Sequence, residues 1–242
     1  MNDVRAVVLD VEGTTTSVRF VYDVLFPYAR EHVASFLESS IDDREVRGDV
    51  RLLRAEHAAE PGDAALPAWD DDTGRGRAVS AARYALWLMD RDRKSTGLKS
   101  VQGKIWERGY REGRLVGHVY DDVPRALRRW AEQGKSIAIF SSGSVLAQKL
   151  LFSHTAAGDL TRWIDSHFDT TTGPKNVADS YLRIARALGR PADSVVFVSD
   201  VEDELDAAES AGMRTALCVR EGDPPPATRH PVVRDLDAIP AP

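Results

Sequence analysis

The sequence predicts a doubly wound α/β fold, a parallel sheet covered by helices, with a mostly helical domain inserted into it. Two observations favour this fold. Short apolar, β-branched runs alternate with helical patterns in the second half of the chain, and polar residues follow each run. Such runs, which lack polar alternation, are typical of parallel strands buried on both faces. A long segment after the first run carries amphipathic helical patterns instead, so we expect a discontinuous core.

Four apolar segments are the predicted strands. They are residues 4–9, 136–140, 194–198 and 215–219. The first three end at Asp10, Ser141 and Ser199-Asp200. Polar residues at these points matter because ligands of open α/β sheets bind outside the carboxyl ends of the strands.

Four helical patterns lie in the same half of the chain as the later strands. They are residues 124–133, 145–152, 176–188 and 202–211. Pro124 opens the first, and Gly134, Gly189 and Gly212 follow the first, third and fourth, where glycine commonly ends a helix. Strand and helix therefore alternate as in a Rossmann-like sheet.

The inserted segment is predicted to be helical. Its amphipathic patterns are residues 20–37, with a kink at Pro27, 79–88 and 101–110, and residues 61–76 form a polar loop that includes Gly74–Gly76. The predicted domains are a core of residues 1–18 and 116–242 and a helical cap of residues 19–115.

Composition narrows the class of protein. The 242 residues include 32 Lys plus Arg and 38 Asp plus Glu, a formal net charge of −6, and 43% are hydrophobic. These values exclude an intrinsically disordered chain and argue against a nucleic-acid partner, which requires a basic face. No apolar run approaches the roughly 20 residues that cross a bilayer, and the first residues do not resemble a signal peptide. We expect a cytoplasmic monomer without a membrane or nucleic-acid partner.

The first chemical motif is Asp10–Thr15, Asp-Val-Glu-Gly-Thr-Thr. A carboxylate at a strand end can act as a nucleophile that forms an acyl-phosphate, or it can bind a hard cation such as Mg²⁺. Gly13 lets the backbone turn close to a ligand. A polar turn would also explain Asp10 and Glu12, but the Gly-Thr-Thr that follows favours function.

Two further motifs offer groups for an anion. Ser141–Ser144 precedes a helix, so its hydroxyls and free N–H groups can bind phosphate, although an ordinary N-cap at Ser144 is the favoured explanation of this motif by itself. Lys175 follows a Gly-Pro turn and can reach a bound anion, yet a single lysine is usually a solvated surface residue. The absence of Gly-x-Ser-x-Gly argues against a serine hydrolase.

The fourth motif is Ser199–Glu204, which has four acids. Carboxylates at a strand end suit Mg²⁺. The helix dipole alone explains acids at positions 202–204, but it does not explain Asp200. The six histidines lack a ligand spacing, and the single cysteine, Cys218, lies in an apolar strand pattern, so we expect these residues to be structural.

Taken in order, these four motifs resemble those of the haloacid dehalogenase superfamily. A closer similarity is to the acireductone synthase (enolase-phosphatase) family of methionine salvage. The residues that carry it are Asp10–Thr16, 24–29, 141–152 and 167–170. The resemblance covers residues 7 to about 219. It implies a haloacid dehalogenase-like fold and a phosphorylated diketone substrate, 2,3-diketo-5-methylthiopentyl-1-phosphate, which is enolised and then dephosphorylated to the acireductone 1,2-dihydroxy-3-keto-5-methylthiopentene.

The resemblance also implies residue roles. Asp10 would attack phosphorus and form an aspartyl-phosphate. One Mg²⁺ per chain would be held by Asp10, Asp200 and the backbone carbonyl of Glu12. Ser141 and the Ser142 amide would bind phosphoryl oxygens, and Lys175 would neutralise charge.

Glu12 departs from the superfamily, which mostly has aspartate there as the general acid. We expect Glu12 to transfer protons in enolisation, leaving-group protonation or both. Glu204 would orient Lys175 or a water on the cation. In the cap, the segment 97–103 is similar to the family's, and Lys99, Gln102 or both would face the substrate, although an exposed helix face explains them nearly as well.

Three other functions fit parts of this pattern. A Mg²⁺-dependent phosphatase or phosphomutase of another small phosphorylated metabolite shares the motifs, but Glu12 argues against it. A phospho-receiver also has an aspartate at a strand end, but it would be shorter and would lack the insertion. A dehalogenase uses a similar aspartate without magnesium, which Asp200 disfavours.

Overall fold

The structure is a computed structural model that describes residues 3–62 and 65–239. Its internal contacts divide the chain into two compact units. The first comprises Met1–Val21 and Val116–Pro242, and the second is Tyr22–Leu115.

The first unit contains a six-stranded sheet in which every pairing is parallel. Its strands are β1 (Ala6–Leu9), β2 (Ser136–Phe140), β3 (Ser166–Phe168), β4 (Val195–Ser199), β5 (Arg214–Cys218) and β6 (Val232–Val233). They lie in the order β3-β2-β1-β4-β5-β6. Strand β1 is central, and Leu9 pairs with Ile139 on one side and Val198 on the other. The residues that follow β1, β2 and β4 therefore share one edge of the sheet.

The helices in chain order are α1 (Val18–Phe20), α2 (Phe26–Ser40), α3 (Arg44–Ala59), α4 (Gly74–Met89), α5 (Thr96–Arg111), α6 (Asp122–Glu132), α7 (Val145–Ser153), α8 (Ala178–Ala187) and α9 (Glu202–Ser210). A π-helical turn spans Val21–Leu25, and 3-10 turns span Thr161–Trp163, Ala192–Ser194 and Leu236–Ala238.

Helices cover both faces of the sheet. Val7 and Leu9 lie in one apolar core with Trp130 of α6. Ala6 and Val8, which alternate with them, lie in the other core, with Tyr181 of α8. Two buried faces explain why the strands read as continuous apolar runs, and the predicted fold class is confirmed.

The four predicted strands and four predicted helices of this unit are all present, and each predicted end lies within two residues of the observed end. Gly134, Gly189 and Gly212 follow their helices with φ of +69°, +64° and +84°. Strands β3 and β6 were not predicted from the sequence. Both have three residues or fewer, too few for a periodic signal.

The second unit contains the helices α2–α5, which pack as α2 on α4 and α5, and α3 on α4 and α5. Pro27 lies in the first turn of α2, directly after the π-helical turn Val21–Leu25, and the kink there stays a prediction. The prediction for Gly74–Gly76 was wrong. Gly74–Gly76 begin α4 and are not loop, because the Thr73 hydroxyl accepts a hydrogen bond from Gly76 N at 2.8 Å and caps the helix. Asp63 and Ala64 of the predicted loop lie outside the described residues.

Among the helices of the described residues, we find no segment with the length and hydropathy required to span a bilayer.

Candidate active site

The loop after β1 is held by its own hydrogen bonds. Asp10 N donates to Val198 O at 2.9 Å, which extends the β1–β4 pairing by one residue. Val11 O accepts from the N–H groups of Thr14, Thr15 and Thr16 at 2.9–3.3 Å, and Thr15 Oγ1 donates to Asp10 O at 3.1 Å. Residues 10–16 therefore fold back on themselves directly after the strand. We call them the nucleophile loop, after the role that the resemblance implies for Asp10.

Gly13 allows this loop to approach Asp200. Its φ is +73°, and a Cβ built on it would lie 2.1 Å from Asp200 Oδ2. Any side chain there would overlap the carboxylate, and the backbone conformation favours glycine. Asp200 follows β4, so the structure brings the first and fourth motifs together through the backbone of one glycine.

Lys175 joins the same cluster. Its Nζ lies 2.6 Å from Asp10 Oδ1 and 2.6 Å from Glu204 Oε2. The Lys175 and Asp10 side chains are 8% and 7% exposed. A single lysine in a turn was a weak sequence signal, and only its burial against two carboxylates distinguishes it from a surface lysine. The predicted contact between Glu204 and Lys175 is present.

Two residues without a predicted role in the site support this lysine. Ser199 Oγ donates to Glu204 Oε2 at 2.9 Å and accepts from Val201 N at 3.2 Å, which fixes the glutamate. Tyr181 Oη donates to Lys175 O at 2.6 Å, which fixes the lysine backbone. Ser199 opens the fourth motif but had no predicted role there, and Tyr181 belongs to none of the four motifs, so neither contact was expected from the sequence.

The site holds an excess of negative charge. Burial and the charge of Asp10 raise the pKa of Asp200 to about 6 and also raise the pKa values of Glu12 and Glu204. Burial alone disfavours the Lys175 cation, but Asp10 and Glu204 outweigh it and raise the pKa of Lys175. Four carboxylates therefore share one lysine.

The serine motif forms a turn at the end of β2, the strand next to β1. Ser141 is buried, its N donates to Phe168 O at 3.2 Å, and its Oγ accepts from Gly143 N at 3.0 Å. Ser142 is exposed. Ser144 accepts from Ala147 N at 3.2 Å, so it is the N-cap of α7.

Gln148 stabilises this turn from helix α7. Its Nε2 donates to Gly143 O at 3.0 Å and to Phe168 O at 2.8 Å. Its Oε1 lies 3.2 Å from Nδ1 of His167, which precedes Phe168 on β3. The short strand β3 and helix α7 thus hold the Ser141–Ser144 turn from outside, a second support that no sequence spacing indicated.

Comparisons with known proteins agree with this geometry. A family described as haloacid dehalogenase-like hydrolase matches residues 4–212. Enolase-phosphatase E1 of Synechococcus elongatus is 51% identical over 220 residues, which covers 91% of this chain and 90% of that protein. Enolase-phosphatase E1 of Methylococcus capsulatus is 47% identical over 236 residues, covering 98% and 97%.

The chain belongs to the enolase-phosphatase E1 family. Its fold also matches the crystal structure of the UTR4 protein of Saccharomyces cerevisiae, with a TM-score of 0.78, 30% identity, and coverage of 98% of this chain and 100% of that one. The resemblance inferred from the motifs is thereby confirmed, and the chain is a hydrolytic enzyme of the haloacid dehalogenase-like class.

The site of this enolase-phosphatase family member has the donors that a hard cation requires. Mg²⁺ prefers carboxylate, carbonyl and water oxygens, and the cluster of Asp10, Glu12 and Asp200 supplies the first two kinds. Burial and the neighbouring charge of Asp10 raise the pKa of Asp200, so a cation bound among these carboxylates would stabilise their charged forms. The side chains present therefore fit one divalent cation.

A second group of potential ligands lies elsewhere in the first unit. The side-chain ligand atoms of Asp206, Glu209 and His230 are within 4.8 Å of one another. Arg229 already bonds to both carboxylates, at 2.6 Å and 3.1 Å, and His230 Nε2 lies 2.9 Å from Asp206 Oδ1. These groups satisfy one another, so the cluster is explained as a structural ion-pair network.

Three other residues considered in the sequence, Cys218, Lys99 and Gln102, are not part of the carboxylate cluster. Cys218 is fully buried, and burial raises the pKa of its thiol to about 11, which suits a core residue. In the second unit, Lys99 is half-buried and Gln102 is buried on the same helix, α5. Contact of Lys99 or Gln102 with substrate stays a prediction.

Proposed function

We propose that this chain enolises 2,3-diketo-5-methylthiopentyl-1-phosphate and then hydrolyses its phosphate ester to give the acireductone. Membership of the enolase-phosphatase E1 family supports the activity. The observation that carries the mechanism is the buried contact of Lys175 with Asp10 beside Asp200 and Glu12. A phosphatase for another small phosphorylated metabolite would share this cluster, so the substrate itself requires a test.

Asp10 is the proposed nucleophile. One of its carboxylate oxygens, Oδ1, is held by Lys175, which leaves the other to attack phosphorus. The P–O bond to the substrate breaks as the bond to Asp10 forms, giving an aspartyl-phosphate. Phosphoryl transfer depends mainly on positioning and charge neutralisation, and the wound nucleophile loop supplies the first while Lys175 supplies the second.

Glu12 is the proposed proton carrier. Burial and Asp10 raise the pKa of its carboxyl group, so it retains a proton closer to neutral pH than a free glutamate does. As an acid it would protonate the leaving oxygen. As a carboxylate it would remove the carbon-bound proton in enolisation and later take a proton from the water that hydrolyses the aspartyl-phosphate.

Mg²⁺ is the proposed cofactor. Asp10, Asp200 and the backbone carbonyl of Glu12 would hold it, and when bound it would neutralise phosphoryl charge as a Lewis acid. Ser141 and the Ser142 amide would bind phosphoryl oxygens, because they follow the strand adjacent to β1. Glu204 acts on the lysine and not on the substrate, since its Oε2 contacts Lys175 and Ser199.

The decisive experiment follows phosphate release and enediol absorbance together on the diketone phosphate with Mg²⁺. We expect both signals from the wild type and neither from Asp10→Asn. Asp203→Asn, which removes an exposed acid of α9, is the matched control and keeps both. Phosphate release from sugar phosphates without either signal on the diketone would retain the mechanism and reject the substrate.

A further inference from the structure

Arg220 contacts the nucleophile loop from the end of β5, a strand that is separated from β1 by β4. It follows β5 by two residues, and its side chain is only 7% exposed. Its Nε and Nη2 both donate to Thr14 O, at 2.9 Å and 2.6 Å. Its guanidinium also lies 4.3 Å from the ring centroid of Tyr120. The buried guanidinium of Arg220 therefore binds the backbone carbonyl of Thr14, the residue that follows Gly13.

Asp122 holds this arginine in place. Arg220 Nη1 lies 2.9 Å from both carboxylate oxygens of Asp122, which is also 7% exposed. Asp122 Oδ2 accepts a further bond from Leu236 N at 2.6 Å. The carboxylate at the start of α6 thus connects Arg220 to the C-terminal segment, whose role the sequence motifs did not indicate.

The nucleophile loop depends on these external contacts. Inside the loop, Val11 O accepts from the N–H groups of residues 14–16. The two carbonyls of Thr14 and Thr15 instead accept from outside the loop: Thr14 O from Arg220, and Thr15 O from Tyr120 N at 3.1 Å. Thr14 Oγ1 is buried without a hydrogen-bond partner among the described residues. Thr14 is therefore held through its backbone, and most directly by Arg220.

We propose that Arg220 and Asp122 are positioning residues that set the distance between the nucleophile loop and Asp200. Gly13 contacts Asp200 and adjoins Thr14, so a displaced Thr14 carbonyl moves the carboxylates of Asp10 and Asp200 apart. The cation site is the feature most sensitive to such a shift, because a small divalent cation demands close geometry from its ligands. This inference rests on the proposed function for its catalytic readout only.

The test compares Arg220→Met and Arg220→Lys with Arg125→Met. Arg125 is on α6 and also pairs with an aspartate, Asp237, but it is 56% exposed and its two hydrogen bonds go to Asp121 and Asp237, not to the loop. We measure Mn²⁺ binding by titration calorimetry, and then kcat and KM for phosphate release. Loss of a residue that positions the metal ligands typically weakens metal affinity or activity by about 10–100-fold. For Arg220→Met we expect a decrease of that size in Mn²⁺ affinity and in kcat, with KM nearly unchanged.

Arg220→Lys separates positioning from charge. A single Nζ cannot donate to Thr14 O through two N–H groups while it also binds Asp122, so we expect near wild-type melting but weakened Mn²⁺ binding. Asp122→Asn keeps an acceptor for Leu236 N and provides a folded variant if Arg220→Met does not fold. Its Mn²⁺ affinity should also fall.

Wild-type Mn²⁺ affinity and kcat in folded Arg220→Lys and Asp122→Asn would overturn the proposal. An equal loss in Arg125→Met would also overturn it, since the effect would then be general. If the wild type releases no phosphate from any substrate but binds Mn²⁺, the proposed function fails while the Mn²⁺ arm still decides this inference.

Discussion

Lys175 Nζ lies 2.6 Å from Asp10 Oδ1, and both side chains are more than nine-tenths buried. These residues are 165 positions apart in the sequence. Their contact, shared with Glu204, places the positive charge of the site on one oxygen of the proposed nucleophile and leaves the other oxygen for the substrate.

Lys175→Met should therefore affect both activity and stability. Loss of one preorganised electrostatic group typically lowers kcat by about 10²–10³-fold, and removal of one partner from a buried ion pair costs about 3–5 kcal/mol. Lys149→Met, an exposed lysine on α7, is the control. Steady-state kinetics and urea unfolding at pH 7 measure the two effects, and unchanged kcat would reject the role of Lys175.

Gly13→Ala should abolish cation-dependent activity. The new Cβ would lie 2.1 Å from Asp200 Oδ2, so the carboxylate or the loop must move. Gly134→Ala is a matched control, because its φ of +69° is similar but nothing lies within 4 Å of the new Cβ. Both variants incur backbone strain of about 1–3 kcal/mol. Equal activity in the two variants, measured as phosphate release against Mg²⁺ concentration, would contradict the close approach of Asp200.

Glu12→Gln should impair enolisation, phosphate release or both. The amide keeps the size of the side chain but cannot transfer a proton, and loss of a general acid or base typically lowers the rate by about 10²–10⁴-fold. Simultaneous recording of enediol absorbance and free phosphate separates the two steps, with Asp203→Asn as the control. A variant that retains both rates would exclude Glu12 as the proton carrier.

His167 should give the fold a dependence on acid. Burial lowers the pKa of its imidazole to about 4, against an ordinary value of 6.5. Between these values the unfolded chain binds more protons than the folded one, so the free energy of unfolding falls as pH drops from about 6.5 to about 4. His167→Asn, whose amide can replace Nδ1 opposite Gln148, should flatten that part of the curve. Denaturant unfolding at several pH values measures it, and an unchanged slope would contradict the prediction.

Removal of divalent cations should abolish phosphate release. Among the residues that the structure describes, Lys175 is the cation that contacts the cluster of Asp10, Glu12, Asp200 and Glu204, and burial makes the remaining negative charge costly. Dialysis against EDTA should abolish activity, and added Mg²⁺ should restore it together with an increase in thermal stability. Full phosphate release in EDTA would contradict the proposed need for a divalent cation.

The sequence alone determined the fold class and most of the elements of the first unit. Strands buried on both faces read as short apolar runs, and glycines with positive φ mark the ends of three helices, so the signals are local. The same local signals placed Asp10, Ser141 and Asp200 at strand ends, and the order of the motifs was enough to indicate the family.

The tertiary structure decided which of these residues act together and what supports them. Strands β3 and β6 were too short to show a period, and they form because neighbouring strands offer unpaired backbone groups. Lys175 differs from a surface lysine only through its contacts with Asp10 and Glu204. Arg220 and Asp122 lie 98 positions apart. They are in contact because the end of β5 and the beginning of α6 both lie near the nucleophile loop. Hydrogen bonds and burial between distant residues leave no periodic pattern in the sequence, which is why these contacts required the fold.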